Sequence, residues 1–364
     1  MSHSHDHAHA HAENIKTTRD ETRWEIEVTG EIPAAALAEY RTHSIKELGA
    51  DTTIDGFRPG KAPEAALVRH FGEEAILQHA AEHAVKHEIP EILAKEQVNI
   101  VDAPRVSIEP PALDKPLKFT ARAPLAPKVI LGDYKKASAK KVAEKKEQEV
   151  TDKEYSDAIL HLRRERARIE LMEGGKKSDE AADESKNMVE KDLPVLDDAF
   201  AQSVGYDDSA KFHETIRTNM KNEKDMREGE KVRASILEAI VKDSKINYPA
   251  ILREYEIDDM EARMAGDLER MGMTIDSYLK SVKKTKEDIR KEWESPADER
   301  AKVRLVLAEI ARIEKIEPDA EKLAQELKHA KDHYKDADEN ILHAHIAHAL
   351  RNEAVMTWLE AQKN

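Results

Sequence analysis

Asp55-Gly56-Phe57-Arg58-Pro59-Gly60-Lys61-Ala62-Pro63 is the stretch on which the reading of this 364-residue chain turns. Two glycines, two prolines, two cations and one aromatic fall within it, and helical patterns run on both sides. Gly and Pro punctuate structure, so the stretch is a loop. Pro63 suits the first turn of the following helix, where a missing N–H loses no hydrogen bond. Phe57 and Arg58 then stand at the tip of a stiff helix–loop–helix, and loop tips carry binding more often than core elements do. The alternative is a plain turn with Phe57 folded back onto its own helices. The residues leave both readings open.

Upstream, residues 22–29 alternate. Trp24, Ile26 and Val28 share one face and Arg23, Glu25 and Glu27 the other, as in a half-buried strand. Pro33 opens a helix through Leu48, with Leu37, Tyr40, Ser44, Ile45 and Leu48 at helical spacing. Downstream, a helix over 63–71 stops near Gly72. Another begins near Glu73 and carries Ile76, Leu77, Ala80, Ala84, Val85, Ile89, Ile92 and Leu93. Pro90 is expected to kink or restart it. Strands are expected at 105–108 and 117–123. Together these make a small α+β domain over 14–112.

Pro110, Pro111, Pro116, Pro124 and Pro127 mark a stiff extended connection, and 113–150 reads as a linker. Its end, 135–146, is dense in Lys, with Val142 its one large apolar residue, and is expected to be solvent-exposed. Residues 151–364 read as a helical domain. In its first helix Thr151 is a cap and Glu154 can complete a capping box. Ala158, Ile159, Leu162, Ile169 and Met172 are sparse among Arg163, Arg164, Arg166 and Arg168, so this helix reads as part of an extended arm, not a core element. A short polar connection follows at 173–190, and the pattern beyond is helical almost throughout. Tyr248-Pro249 opens one helix. Met260, Met264, Leu268 and Met271 recur at helical spacing. Such a stripe is either core packing or an adaptable surface, and these four are candidate substrate contacts. Thr274 and Thr285 are candidate caps. Val303, Val306, Leu307, Ile310 and Ile313 form the clearest core-facing stripe. The last helix carries His343, His345 and His348, then Val355 and Trp358. No carboxylate is placed to complete a metal site there, so a structural role is expected.

Charged residues are 37% of the chain and aromatics 4%, which favours long solvated helices over a compact enzyme core. The net charge of −15 argues against a broad basic face for nucleic acid, DNA included. No cysteine is present, so disulfides, Cys-ligated metals and thiol chemistry are excluded. No secretory pattern and no apolar run of about 18–20 residues appears, so the expectation is a cytoplasmic protein without a membrane partner. His3, His5, His7, His9 and His11 alternate in the first 13 residues. Neutral imidazoles can chelate a divalent metal. The alternative is a disordered, solvated tail that binds metal only adventitiously. No glycine-rich phosphate loop, His-Glu-x-x-His pair or nucleophile elbow appears, so no cofactor and no catalytic constellation is indicated.

With its context, the opening loop resembles the trigger factor family of bacterial ribosome-associated chaperones. The family's Gly-Phe-Arg-x-Gly-x-x-Pro loop stands here as Gly56-Phe57-Arg58-Pro59-Gly60-Lys61-Ala62-Pro63. Leu131-Gly132-Asp133-Tyr134, Asp192-Leu193-Pro194-Val195-Leu196-Asp197-Asp198 and Arg304-Leu305-Val306-Leu307 extend the likeness. The resemblance implies an α+β N-terminal ribosome-docking domain followed by an extended, mostly α-helical, multi-arm chaperone domain. It implies an ATP-independent chaperone that docks near the exit tunnel, binds nascent or unfolded polypeptides, and dimerises off the ribosome as relatives do. Gly56, Phe57, Arg58, Pro59, Gly60 and Lys61 would meet ribosomal protein and ribosomal RNA, with Arg58 on a carboxylate and Phe57 in a small apolar niche. Pro59 stands where the family often has lysine, which makes the tip stiffer and less basic.

Family members usually carry an FKBP-type prolyl isomerase domain after the arm helix. Such a domain needs about a hundred residues and an aromatic-lined pocket. Here only 173–190 occupies that place, and Tyr155 is the only aromatic between Tyr134 and Phe200. The isomerase domain is therefore expected to be missing, and catalysis is not expected. A peptidyl-prolyl isomerase and a metal-binding protein using the His tail are the alternative readings.

Overall fold

The computed structural model describes residues 12–50, 52–58, 60–333 and 338–363. It divides into two compact units. One takes the chain up to Leu131 and again Ser244–Glu309; the other takes Gly132–Asp243 and Ile310–Asn364.

The first unit opens with β1 (Glu13–Asp20), β2 (Glu25–Ile32), α1 (Ala34–Ala50), α2 (Glu64–Phe71) and α3 (Glu73–Lys95). β3 (Arg105–Ile108), β4 (Leu117–Pro124) and β5 (Lys128–Ile130) follow. The second unit then takes α4 (Tyr134–Ala143), α5 (Asp152–Glu173), α6 (Ser178–Asn187), α7 (Asp198–Ser203) and α8 (Ser209–Asp243). The chain returns to the first unit with β6 (Lys245–Asn247), α9 (Ala250–Arg270) and α10 (Ile275–Val282). α11 (Lys286–Glu314) begins there and ends in the second unit, which α12 (Ala320–His333) and α13 (Glu339–Glu360) complete.

The antiparallel sheet has the order β1-β2-β4-β3. Alternation puts Ile26, Val28 and Ile32 of β2 and Leu117, Phe119, Ala121 and Ala123 of β4 on one buried face. Leu37 and Tyr40 of α1 and Ala80, Ala84, Ile89 and Leu93 of α3 pack in the same core. Ala80, Ala81 and Ala84 are fully buried, and such small side chains let helices approach closely. Each fully buried isoleucine here stabilises the fold by about 2–3 kcal/mol.

The structure corrects several expectations. The strand expected at 22–29 is β2, displaced towards its C-terminus. Trp24 has φ 55° and sits in the turn before it, where the Asp20 side chain accepts from the Thr22 and Arg23 N–H groups. β1 went unread because nearly all its residues are exposed, so it shows no alternation. The domain boundary at 112 falls inside the sheet, since β4 lies between β2 and β3. The 113–150 linker therefore holds β4, β5 and α4. β5 pairs with β6. α4 is not fully exposed either: Ser138 and Ala139 are buried, and Ser138 Oγ donates to the Leu359 carbonyl at 2.6 Å. Small residues between the lysines give that helix one packable face. Pro90 lies within α3 without ending it.

In the second unit, α5 starts on the full Thr151–Glu154 capping box. Glu154 is pulled down to about 2 by hydrogen bonds from Lys224 and then Thr151. Ile159 and Leu162 of α5 pack on a core of Leu196, Ala201 and Phe212, so α5 is more than a solvated arm. The connection at 173–190 contains α6, a helix with Ala181 and Ser185 buried. Of the 303–313 stripe, Val306, Leu307 and Ile310 are buried, whereas Ile313 is exposed.

Candidate functional site

The tip loop rests on a second, smaller core. Ile45 of α1, Leu67 of α2 and Ile76 of α3 are buried there, with Leu48, Ile54, Ala62, Val68 and Phe71 packed on them. Gly49 allows α1 and α2 to meet, because a Cβ there would stand 2.9 Å from Leu67 Cδ1. Arg41, on α1, clamps the first turns of both following helices. Its Nε and Nη2 donate to the two Glu73 carboxylate oxygens at 2.5 and 2.9 Å, and its Nη1 donates to Glu64 Oε1 at 2.7 Å. Acidic residues in a first helical turn also favour the helix dipole. The Arg41 hydrogen bonds hold the Glu73 carboxyl below its ordinary range.

Replacing Arg41 by Ala is expected to lower stability by about 1–2 kcal/mol, and Lys should not restore it because an ammonium cannot make the two-pronged contact. The folded-state value of Glu73 is depressed, so its contribution is complete above about pH 5. It shrinks as pH falls below the ordinary glutamate value of about 4.3, and is gone once pH has fallen through the depressed folded value. Denaturant titrations of both proteins should show the stability gap closing below about pH 4.

Within the loop, Gly56 (φ 88°) and Gly60 (φ 75°) occupy the left-handed region that side chains resist. The Phe57 N–H donates to the Ile54 carbonyl at 3.0 Å and the Lys61 N–H to the Arg58 carbonyl at 2.9 Å. Two tight turns therefore set the tip. Phe57 is 42% exposed, and the apolar residues that fold back are Ile54 and Ala62. That removes the reading in which Phe57 packs on its own helices. Arg58 and Lys61 are exposed, and among the described residues neither makes an ion pair. Pro59 lies outside the described residues. The arrangement is an outward aromatic beside two unpaired cations on a braced support, a chemistry suited to an anchor on a partly anionic partner. A cavity of about 320 Å³ opens beside it, lined in part by Thr42, Ile45 and Lys46 of α1 and by Gly60 and Ala62 of the loop. No local motif marks this cavity, since its two walls come from separate stretches of chain.

The four residues of the methionine stripe do not share one environment. Leu268 is 7% exposed and belongs to the core, so it is withdrawn as a substrate contact. Met260 and Met264 are half-buried, and Met264 lines a small niche with Ile275, Leu279, Ile289 and Trp293. Met271 is 72% exposed, just past the end of α9. His3, His5, His7, His9 and His11 lie outside the described residues. Among the described residues, no group of three or more His, Asp or Glu side chains stands in a metal-holding arrangement. His348 pairs with Asn352 at 3.4 Å instead. Tyr155 lies under the Arg217 guanidinium, 3.9 Å from the ring centroid, and meets His213 Nδ1 through its hydroxyl. No helix among the described residues is long and apolar enough to cross a membrane.

Family models place the chain. The N-terminal model of the bacterial trigger factor protein matches residues 14–162, and the C-terminal model matches 210–359. The chain belongs to the trigger factor family. Trigger factor from Caldicellulosiruptor saccharolyticus is 26% identical over 345 aligned residues, covering 75% of this chain and 78% of that one. Trigger factor from Clostridium kluyveri is 24% identical over 381, covering 86% and 88%. A solved structure of the trigger factor chaperone, described for promiscuous substrate recognition in folding and assembly, matches with a TM-score of 0.54 at 17% identity. It covers 96% of this chain and 100% of that one, so the fold is alike along the whole length. Trigger factor proteins are ribosome-associated chaperones that bind the ribosome and nascent polypeptides. The two matched stretches leave 163–209 between them, and there this trigger factor family member holds the end of α5, α6 and α7.

Proposed function

We propose that this chain is an ATP-independent chaperone of the cytoplasm that docks beside the ribosomal exit tunnel through residues 56–61. Phe57 enters an apolar niche of a ribosomal protein while Arg58 meets a carboxylate, and Lys61 adds a contact to ribosomal RNA. The outward, braced Phe57 beside unpaired Arg58 is the observation that carries this reading. In the second unit, Val189, Val195, Met226 and Ile341 are exposed large apolar side chains. Met271 is another, in the first unit. Small dispersed patches of this kind bind unfolded segments weakly and reversibly, so release needs no nucleotide.

Ribosome pelleting at physiological salt tests the docking. The Phe57→Ala/Arg58→Ala protein should co-sediment at least about tenfold more weakly than the parent. Equal co-sedimentation overturns the assignment of the tip. The isomerase alternative is tested by proline-limited refolding, where acceleration at catalytic concentration would replace the present reading.

A further inference from the structure

Directly across the first unit's sheet, Arg105 of β3 stands opposite Arg122 of β4. Like charges in that relation repel. Arg122 has an answer in Glu27, whose Oε2 lies 2.7 Å from its Nε. Among the described residues Arg105 makes no ion pair, and it is exposed. The two arginines border a cavity of about 800 Å³ whose wall also holds Arg23 and, from α9, Arg253. The nearest carboxylate to Arg253 is Glu254 at 3.8 Å, and its buried Nε has no hydrogen-bond partner. A buried donor without an acceptor costs free energy that a bound anion would recover.

Two carboxylates, Glu25 and Asp298, share the wall. Asp298 is already engaged: it accepts from the Tyr248 hydroxyl and pairs with Lys302 at 2.6 Å. Burial works to raise its carboxyl, yet these partners outweigh burial and hold it below the ordinary range. Arg23 also has a carboxylate of its own, Asp20 at 3.8 Å. With Arg122 held by Glu27, it is Arg105 and Arg253 that are left to face Glu25, which makes no ion pair among the described residues, in a chain whose net charge is −15. α9 begins in the same wall at Ala250, with no side chain capping its first N–H groups. The start of a helix adds to the attraction for an anion.

The wall also contains an open strand edge. Among the described residues β3 is hydrogen-bonded to β4 alone, and Val106 on it is 40% exposed. Such an edge takes an extended polypeptide by main-chain pairing. Single-stranded RNA binding relies on aromatic side chains for base stacking, and the one aromatic in this wall is Tyr248, whose hydroxyl is held by Asp298.

We propose that this cavity is a client subsite for extended acidic polypeptide segments, which run along the free edge of β3 and place their carboxylates on Arg105 and Arg253. The subsite rests on the chaperone reading and adds to it a class of client that the acidic remainder of the surface repels.

Fluorescence anisotropy on the full chain tests it, using a short peptide that alternates Glu with Thr and Val and carries a neutral dye. The Glu peptide should bind at least about tenfold more tightly than its Gln twin. In the Arg105→Gln/Arg253→Gln protein that ratio should fall to about one. Arg105→Gln alone, at an exposed position where folding is not at risk, should already narrow it. Methylating alternate peptide amides should weaken the Glu peptide. Equal binding of the two peptides, an unchanged ratio in the variants, or indifference to methylation overturns the proposal. So does tight binding of single-stranded RNA without peptide binding, which would assign the arginines to phosphates. Suppression of aggregation of a neutral unfolded client should be the same in parent and variant. Its absence in both would be a failure of the chaperone reading, distinct from failure of the subsite.

Discussion

Glu256→Ala is expected to lower the stability of the chain by about 2–3 kcal/mol. Glu256 lies on α9 with 5% of its surface exposed, one of the few charged residues in the core. Its two oxygens reach two arginines of α11: Arg304 Nη1 donates to Oε1 at 2.7 Å and Arg300 Nε to Oε2 at 3.3 Å. The Arg300 side chain is 37% exposed and that of Arg304 52%. The arrangement is asymmetric, with a buried anion and rim cations. Removing the anion deletes two charge-assisted bonds and leaves a small cavity. The arginines keep access to water, so the full penalty of an abandoned buried charge does not arise. Glu256→Gln keeps the shape with weaker bonds and should cost about 1–2 kcal/mol. Glu256→Leu fills the space and needs no partner, so its loss should be smaller than that of Ala. Urea unfolding of the three variants gives the order. If Ala and Leu cost the same, packing has no part in the effect.

Gly132→Ala is expected to cost about 2–3 kcal/mol, near the upper end for overpacking. Gly132 belongs to the Leu131-Gly132-Asp133-Tyr134 stretch that supported the family resemblance. A Cβ on Gly132 would stand 2.6 Å from the carbonyl oxygen of Asp243 and in contact with its carboxylate. The side chain can rotate away, but the carbonyl is main chain at the end of α8 and cannot. The Asp133 N–H, which donates to Asp243 Oδ2 at 3.2 Å, would be displaced with it. Thermal unfolding of Gly132→Ala beside Gly174→Ala provides the control. At Gly174 the nearest foreign atoms are 3.4 Å away, ordinary contact distance, so that change should be nearly neutral.

Helices were legible wherever apolar spacing or a cap carried them. The 34–50, 64–71 and 73–95 helices, the Thr151–Glu154 box and the Thr274 and Thr285 caps follow from short-range rules. β1 was not legible, because an edge strand polar on both faces has no period to detect. The boundary at 112 failed because prolines around β4 suggested a linker, whereas pairing with β2 decides that strand. α6 was hidden by its charge: only Ala181 and Ser185 face inward.

By itself the sequence determined the tip motif, the family it resembles, and a helical chain with short apolar stripes. Those are local properties, fixed by residue type at fixed spacing. The tertiary structure decided that Phe57 points outward, because Ile54 and Ala62 fill the small core in its place. It also divided the methionine stripe, burying Leu268 and exposing Met271. It gathered Arg105, Arg122 and Arg253 around one cavity from stretches far apart in the chain. Burial and charge balance depend on which distant residues meet, and no local pattern encodes that.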